Sequence, residues 1–203
     1  MDGSDERQCD PIEIDETIYR KILPPVLKFN KTEVEVTMNI HHIDEIDEIL
    51  MKFHAELTTT LHWKDPRITF KNLAHEGNFL NKFWQNQIWL PPIGYSNAAE
   101  YWKISQNDDL TVEVQRQEKG TPNPFNEIDE GKTFKGDEND LFLTALHEGY
   151  FYCSFELSEF PFDSQECSID VHIPREIRNY IILQPKMLEY SGKYVENAFL
   201  CYK

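Results

Sequence analysis

The sequence predicts an all-β chain, an antiparallel β-sandwich with one short N-terminal helix, on three observations. Val34, Val36, Met38 and Ile40 alternate with Glu33, Glu35, Thr37 and Asn39, the period-two mark of a half-buried strand. A longer alternation follows, with Met51, Phe53, Ala55, Leu57, Thr59, Leu61 and Trp63 set against Lys52, His54, Glu56, Thr58, Thr60 and His62. Cys153 and Cys167 enclose thirteen residues around an apolar turn, which suggests a disulfide-closed loop. A zinc pair would usually stand about two to four residues apart. Closing a loop of about fifteen residues contributes roughly 3 kcal/mol through chain entropy.

Taken in order, residues 1–14 read as a flexible N-terminal segment. Residues 15–24 place Ile18 and Ile22 four apart and predict a short helix that ends before Pro24 and Pro25. The first alternation is a strand, and the acidic stretch from His41 to Glu48 is expected as a turn. The second alternation is a strand whose odd positions face the core. Trp63 to Arg67 ends it, and Asp65 and Arg67 are expected to tie that loop together. Leu110 to Val114 alternates like a further strand. Residues 115–140, with Gly120, Pro122, Pro124, Gly131 and Gly136, read as a loop insertion. Phe142 to Phe155 and Ser168 to Ile173 are the strands expected to enter and leave the disulfide loop.

Composition narrows the function. The chain has 203 residues, 40% of them hydrophobic, enough for one sizeable core in a single domain. Thirteen Phe, nine Tyr and four Trp supply large side chains for its interior. A net charge of −16 excludes nucleic-acid binding, which needs clustered Lys and Arg, and it favours a soluble chain that concentrates cations nearby. No run approaches the roughly eighteen apolar residues of a membrane-spanning helix. The opening Met1 to Arg7 lacks the basic and apolar regions of a secretory signal, so a disulfide implies a leader removed or replaced. The sequon Asn30-Lys31-Thr32 fits a secreted, glycosylated context. His41 and His42 would point to opposite faces of a strand, and no His-Glu-x-x-His, Gly-x-Ser-x-Gly or phosphate loop occurs. No catalytic residue, metal or cofactor is expected.

Phe160-Pro161-Phe162-Asp163-Ser164-Gln165-Glu166-Cys167, with Cys153 thirteen residues upstream, resembles the signature of the Cys-loop receptors, the pentameric ligand-gated ion channels. Trp63-x-Asp65-x-Arg67 and Trp89-x-Pro91 are similar to that family's landmarks and stand in its order, although Pro92 occupies a position where the family usually has Asp. The resemblance covers roughly residues 15 to 200. It implies an immunoglobulin-like ligand-binding sandwich spanning 15–203, on the extracellular face of the plasma membrane in the intact protein. Its partners would be identical or homologous subunits in a pentamer, a small-molecule ligand and a membrane pore domain. Gating would run through the first hairpin loop, Asp44, Glu45 and Asp47, and through Phe160, Pro161, Phe162 and Asp163. The final hairpin is expected beyond position 200, so the chain reads either as a fragment lacking it or as having a shorter C-terminal region.

In this family the agonist lies between subunits, often in an aromatic box that attracts an ammonium group. The positions matching that box are Ser96, with Tyr95 beside it, Pro174 seven residues after Cys167, and Thr58 five before Trp63. An amine site of that kind is therefore disfavoured. Thr58, Thr60, Tyr95, Ser96, His172 and Arg175 are more compatible with a polar or charged ligand. The alternative is an immunoglobulin-like adhesion or interaction module, which needs a disulfide between opposed sheets, and thirteen residues are too few for that. Cys9 and Cys201 have no assigned pairing.

Overall fold

The computed structural model describes residues 11–25, 31–99, 110–117, 133–160 and 162–190, without the side chains of 187–190. Asn30, Pro161, Cys9 and Cys201 lie outside the described residues. The strands are β1 (Ile12–Ile14), β2 (Thr32–Asp47), β3 (Lys52–Trp63), β4 (Ile68–Lys71), β5 (Asn78–Phe79), β6 (Gly94–Tyr95), β7 (Leu110–Gln115), β8 (Thr133–Lys135), β9 (Asp140–Tyr152), β10 (Val171–His172) and β11 (Ile181–Tyr190). One turn of helix, α1, spans Lys82–Gln85.

Six strands form the main sheet in the order β11-β2-β3-β9-β7-β5, while β1-β4-β8 and β10-β6 make smaller ladders. Both predicted alternations become strands with the expected parity, except at Met51, which is expected to face the core and instead lies exposed in the turn before β3 at positive φ. Along β3 every odd position from Phe53 to Trp63 is buried and every even one half-buried. Val34, Val36 and Met38 of β2, Leu57 and Leu61 of β3, Leu141 and Phe151 of β9 and Val112 and Val114 of β7 build the core beneath it. Tyr95 of β6 and Val171 of β10 pack against this core from the smaller ladder.

Five expectations change in detail. Ile12–Ile14, expected within a flexible segment, form β1 and pair with β4, because Ile12 is buried in the core. The segment 15–24 is two turns rather than a helix. The Asp15 carboxylate accepts from the Thr17 amide and hydroxyl, and Ile18 and Ile22, the would-be buried face, are 72% and 80% exposed. A helix this short needs tertiary packing to persist, and its apolar face has none. The acidic stretch from His41 continues β2 through Asp47, and the turn comes only at 48–51. There the Asp47 carboxylate accepts from the Ile49 and Leu50 amides, while a register shift between Asp44 and Asp47 absorbs Glu45 at positive φ. Residues 115–140 are not one loop, because β8 forms within them and pairs with β4. Finally, β11 runs parallel to β2, although every other pairing among the described residues is antiparallel. It reaches the sheet edge after a crossover from β10, and an edge strand tolerates the missing donor of Pro185, where the register shifts.

The Trp63 end is closed as expected. Asp65 is fully buried and receives both Nε and a terminal nitrogen of Arg67, at 2.8 and 2.7 Å. Arg67 also donates to the Leu23 carbonyl and lies 4.4 Å over the Tyr19 ring. Tyr19 donates to Asp65 and accepts from the Trp89 amide, so one buried carboxylate joins the N-terminal turns to the Trp89 segment.

Candidate functional site

Strand parity divides the site residues between two faces of the molecule. Thr59 points into the sandwich, where its hydroxyl bonds the Tyr95 hydroxyl at 2.7 Å. Thr58 and Thr60 on either side of it therefore point to the opposite face of the main sheet. There Thr58 bonds Nε2 of His41 at 2.7 Å and Thr60 meets Thr144 at 3.3 Å.

Tyr95 is an interior residue rather than a surface one. It is 9% exposed, lies edge-on to Phe151 and His147, and burial pushes its phenol well above the ordinary value. It stiffens the turn beside it instead of offering its hydroxyl to solvent. Ser96 is exposed, and its amide donates to the Asp170 carbonyl at 2.8 Å. His172 is exposed and pairs with Gly94 across the β6–β10 ladder. A Cβ at Gly94 would stand 2.7 Å from Cε1 of His172, so a side chain there would make the exposed imidazole swing aside. Arg175 is exposed just beyond β10. Ser96 and His172 are thus brought to one edge, with Arg175 three residues along, while Thr58 and Thr60 stay on the other face.

Asn97 was not among the sequence candidates. Its Nδ2 donates to the Ser168 and Tyr152 carbonyls at 2.7 and 3.2 Å, and its Oδ1 accepts from the Asp170 amide at 2.9 Å. The available signal was an Asn in a Gly-Tyr-Ser-Asn turn, a residue type that bonds neighbouring backbone.

The face carrying Thr58 and Thr60 also holds an ionic cluster. His62 stacks on Phe142 with centroids 4.6 Å apart and planes 6° apart. Its Nδ1 lies 2.8 Å from Glu35, and its Nε2 makes a 2.8 Å ion-pair contact with Asp140 that is not a well-aligned hydrogen bond. Lys186 reaches Glu35 at 2.7 Å and Lys64 reaches Asp140 at 3.5 Å. Asp140, with Glu35, holds the imidazolium of His62 and raises its pKa. Lys186 and His62 lower that of Glu35. Burial pushes against ionisation of Asp140, but His62 and Lys64 hold it low. His147 faces inward from β9, and burial pushes it down to about 4. The alternation Leu141, Leu143, Ala145 could have placed it inside from sequence.

At the far end, Cys153 and Cys167 form the expected disulfide, with Cα atoms 5.3 Å apart. The Cys153 amide donates to Met51, which joins the root of this loop to the β2–β3 turn. Gln165 staples the loop across its neck, accepting from the Glu156 amide and donating to its carbonyl. Phe160 and Phe162 are 64% and 92% exposed, and Ile49 of the β2–β3 turn is 92% exposed. Asp163 is bonded by Gln165. The acidic residues of the first hairpin are engaged within the chain. Asp44 meets His42 and His54 at 3.1 and 2.8 Å, Glu45 accepts from the Tyr150 hydroxyl, and Asp47 caps its own turn. Glu45, Asp47 and Glu48 line a shallow hollow of about 560 Å³ with Lys52 and Tyr150.

Among the described residues no group of three or more His, Cys, Asp or Glu is placed to hold a metal, and no helix is long and apolar enough to cross a membrane. The family model for the neurotransmitter-gated ion-channel ligand binding domain matches residues 13–124. Similar curated proteins include the gamma-aminobutyric acid receptor subunit rho-3 of Rattus norvegicus, 25% identical over 138 residues, which are 68% of this chain and 25% of that protein. The human rho-1 subunit is 22% identical over 161 residues, 79% of this chain and 28% of its own length. The chain thus spans about a quarter of the length of these relatives. With the β-sandwich and the disulfide loop in place, the match over more than half of its residues makes this chain a member of the neurotransmitter-gated ion-channel ligand-binding domain family.

Proposed function

We propose that this chain is the extracellular ligand-binding domain of a pentameric ligand-gated ion channel, that it binds a small polar molecule between subunits, and that a membrane pore domain receives the signal. The observation that carries this reading is the division of the site residues. Ser96, His172 and Arg175 lie at the β6–β10 edge, while Thr58 and Thr60 lie across the main sheet, with Thr59 and Tyr95 between them. One copy cannot close both sets around one ligand; two copies side by side can. The exposed Phe160 and Phe162 of the disulfide loop and Ile46 and Ile49 of the first hairpin offer apolar side chains suited to rest on another domain.

The relatives are named as receptors for gamma-aminobutyric acid. A small amino acid of this class fits the groups available. Arg175 and His172 would take its carboxylate, and the Thr58 and Thr60 hydroxyls would hydrogen-bond it from the neighbouring copy. Light scattering with titration calorimetry against gamma-aminobutyric acid tests this. A pentamer with saturable binding, weakened at least tenfold by both Arg175→Ala and Thr58→Ala, is expected. A strict monomer at high concentration that gives no binding heat would overturn it.

A further inference from the structure

The 94–99 turn touches the disulfide loop at both of that loop's ends, and one side chain reaches both of them. Nδ2 of Asn97 bonds the Tyr152 carbonyl, one residue before Cys153, and the Ser168 carbonyl, one residue after Cys167. Oδ1 bonds the Asp170 amide on the way into β10. The backbone repeats the pattern, because the Tyr152 amide donates to the Asn97 carbonyl at 2.8 Å and the Ser96 amide to the Asp170 carbonyl. An amide is suited to this position, since it alone among small side chains offers two donors and a two-lone-pair acceptor.

We propose that Asn97 is a positioning residue that locks the 94–99 turn to both ends of the Cys153–Cys167 loop, so that a displacement of the turn moves residues 152–153 and 168–170 together. The role deepens the proposed function and rests on the reading that Ser96 and His172 border the ligand. The disulfide makes this mechanically consequential. With Cys153 and Cys167 bonded, two strand ends that move together carry the whole loop, whereas a link to one end alone would tilt it. Tyr95 anchors the other side of the turn in the core through Thr59, so a push on Ser96 is not absorbed by the turn.

Hydrogen–deuterium exchange of the full chain, resolved to single amides, tests the link without any ligand. Asn97→Ala removes the acceptor of the Asp170 amide, which should exchange about fivefold or more faster, the factor for one lost hydrogen bond. It also removes the bond to the Tyr152 carbonyl, so the Tyr152 amide, which keeps its backbone acceptor, should exchange measurably faster as that strand end loosens, while the β2–β3 ladder stays unchanged. Asn97→Asp keeps the acceptor for Asp170 but loses both donors. Relative to the wild-type chain at each pH, it should protect Asp170 while loosening Tyr152, and Tyr152 should tighten again as pH falls through the carboxylate range near about 4, where the acid regains a donor. Wild-type exchange at Tyr152 and Asp170 in Asn97→Ala, or uniformly faster exchange across both sheets, would overturn the proposal. A second arm adds gamma-aminobutyric acid as probe. Protection that spreads from 94–99 to 168–172 in the wild type but stays within 94–99 in Asn97→Ala supports the link, and undiminished spread in the variant overturns it. No response in either chain would count against the ligand reading alone, and the unliganded comparison still decides the link.

Discussion

The two faces of the main sheet are made by the same strands and behave oppositely. On the inner face β3 and β9 present Leu57, Leu61, Leu141 and Phe151 with one buried imidazole, His147, held neutral. On the outer face the intervening residues present His62, Glu35 and Asp140, an imidazole whose charged form two carboxylates favour. Glu56 and Glu148 stand opposite each other there, a like-charge pairing that only a solvated face tolerates. The lesson is that the pleat decides a histidine's charge: desolvation acts on one side and ion pairing on the other.

The largest break in this comparison comes from the inner face. Leu57→Ala removes a fully buried side chain and should cost about 2–5 kcal/mol, read from a urea midpoint. His147 comes next. Its folded pKa is depressed from 6.5 to about 4, so the folded state binds its proton later than the unfolded chain does. Stability should therefore fall by about 3 kcal/mol as pH drops from 6.5 to 4, and His147→Leu should flatten that acid limb.

His62 has the opposite sign. Its folded pKa is raised, so its contribution is fully present below the unfolded value and is lost as pH rises through the folded one. The depressed Glu35 and Asp140 contribute above their unfolded values and lose that contribution as pH falls through their folded ones. The cluster should thus be strongest in mild acid, and His62→Gln should remove the decline that sets in as pH rises above about 6.5. Urea midpoints that fall equally in the variant and the wild type over that range would refute the assignment. The smallest effect on stability belongs to Thr58→Ala, within about 0.5 kcal/mol, because its hydroxyl is half-exposed. Its expected effect is on ligand affinity instead.

Much of this was legible in the residues. Period-two patterning placed β2 and β3 and the inward or outward direction of every position along β3. The Cys153–Cys167 spacing anticipated the disulfide, and Asp65 and Arg67 were rightly expected to close their loop. Where sequence reasoning fell short, long-range contacts decided. The pair Ile18 and Ile22 has helical spacing, but no surface covers it, so the segment stays in turns. Tyr95 reads as a surface aromatic until Thr59, thirty-six residues away in sequence, binds its hydroxyl in the core. Asn97 gave almost no signal, because its partners lie at separations of 55 to 73 residues.

The sequence by itself determined the alternation of faces, the disulfide loop and the order of landmarks, because these depend on chain periodicity and nearest neighbours. Only the tertiary structure decided which residues meet: Ser96 with Asp170, Gly94 with His172, His62 with Glu35 and Asp140. It also decided that Thr58 and Ser96 belong to different faces of one copy. Strand register and the crossover to a parallel edge strand set those distances, and both are properties of how the strands pair across the whole chain.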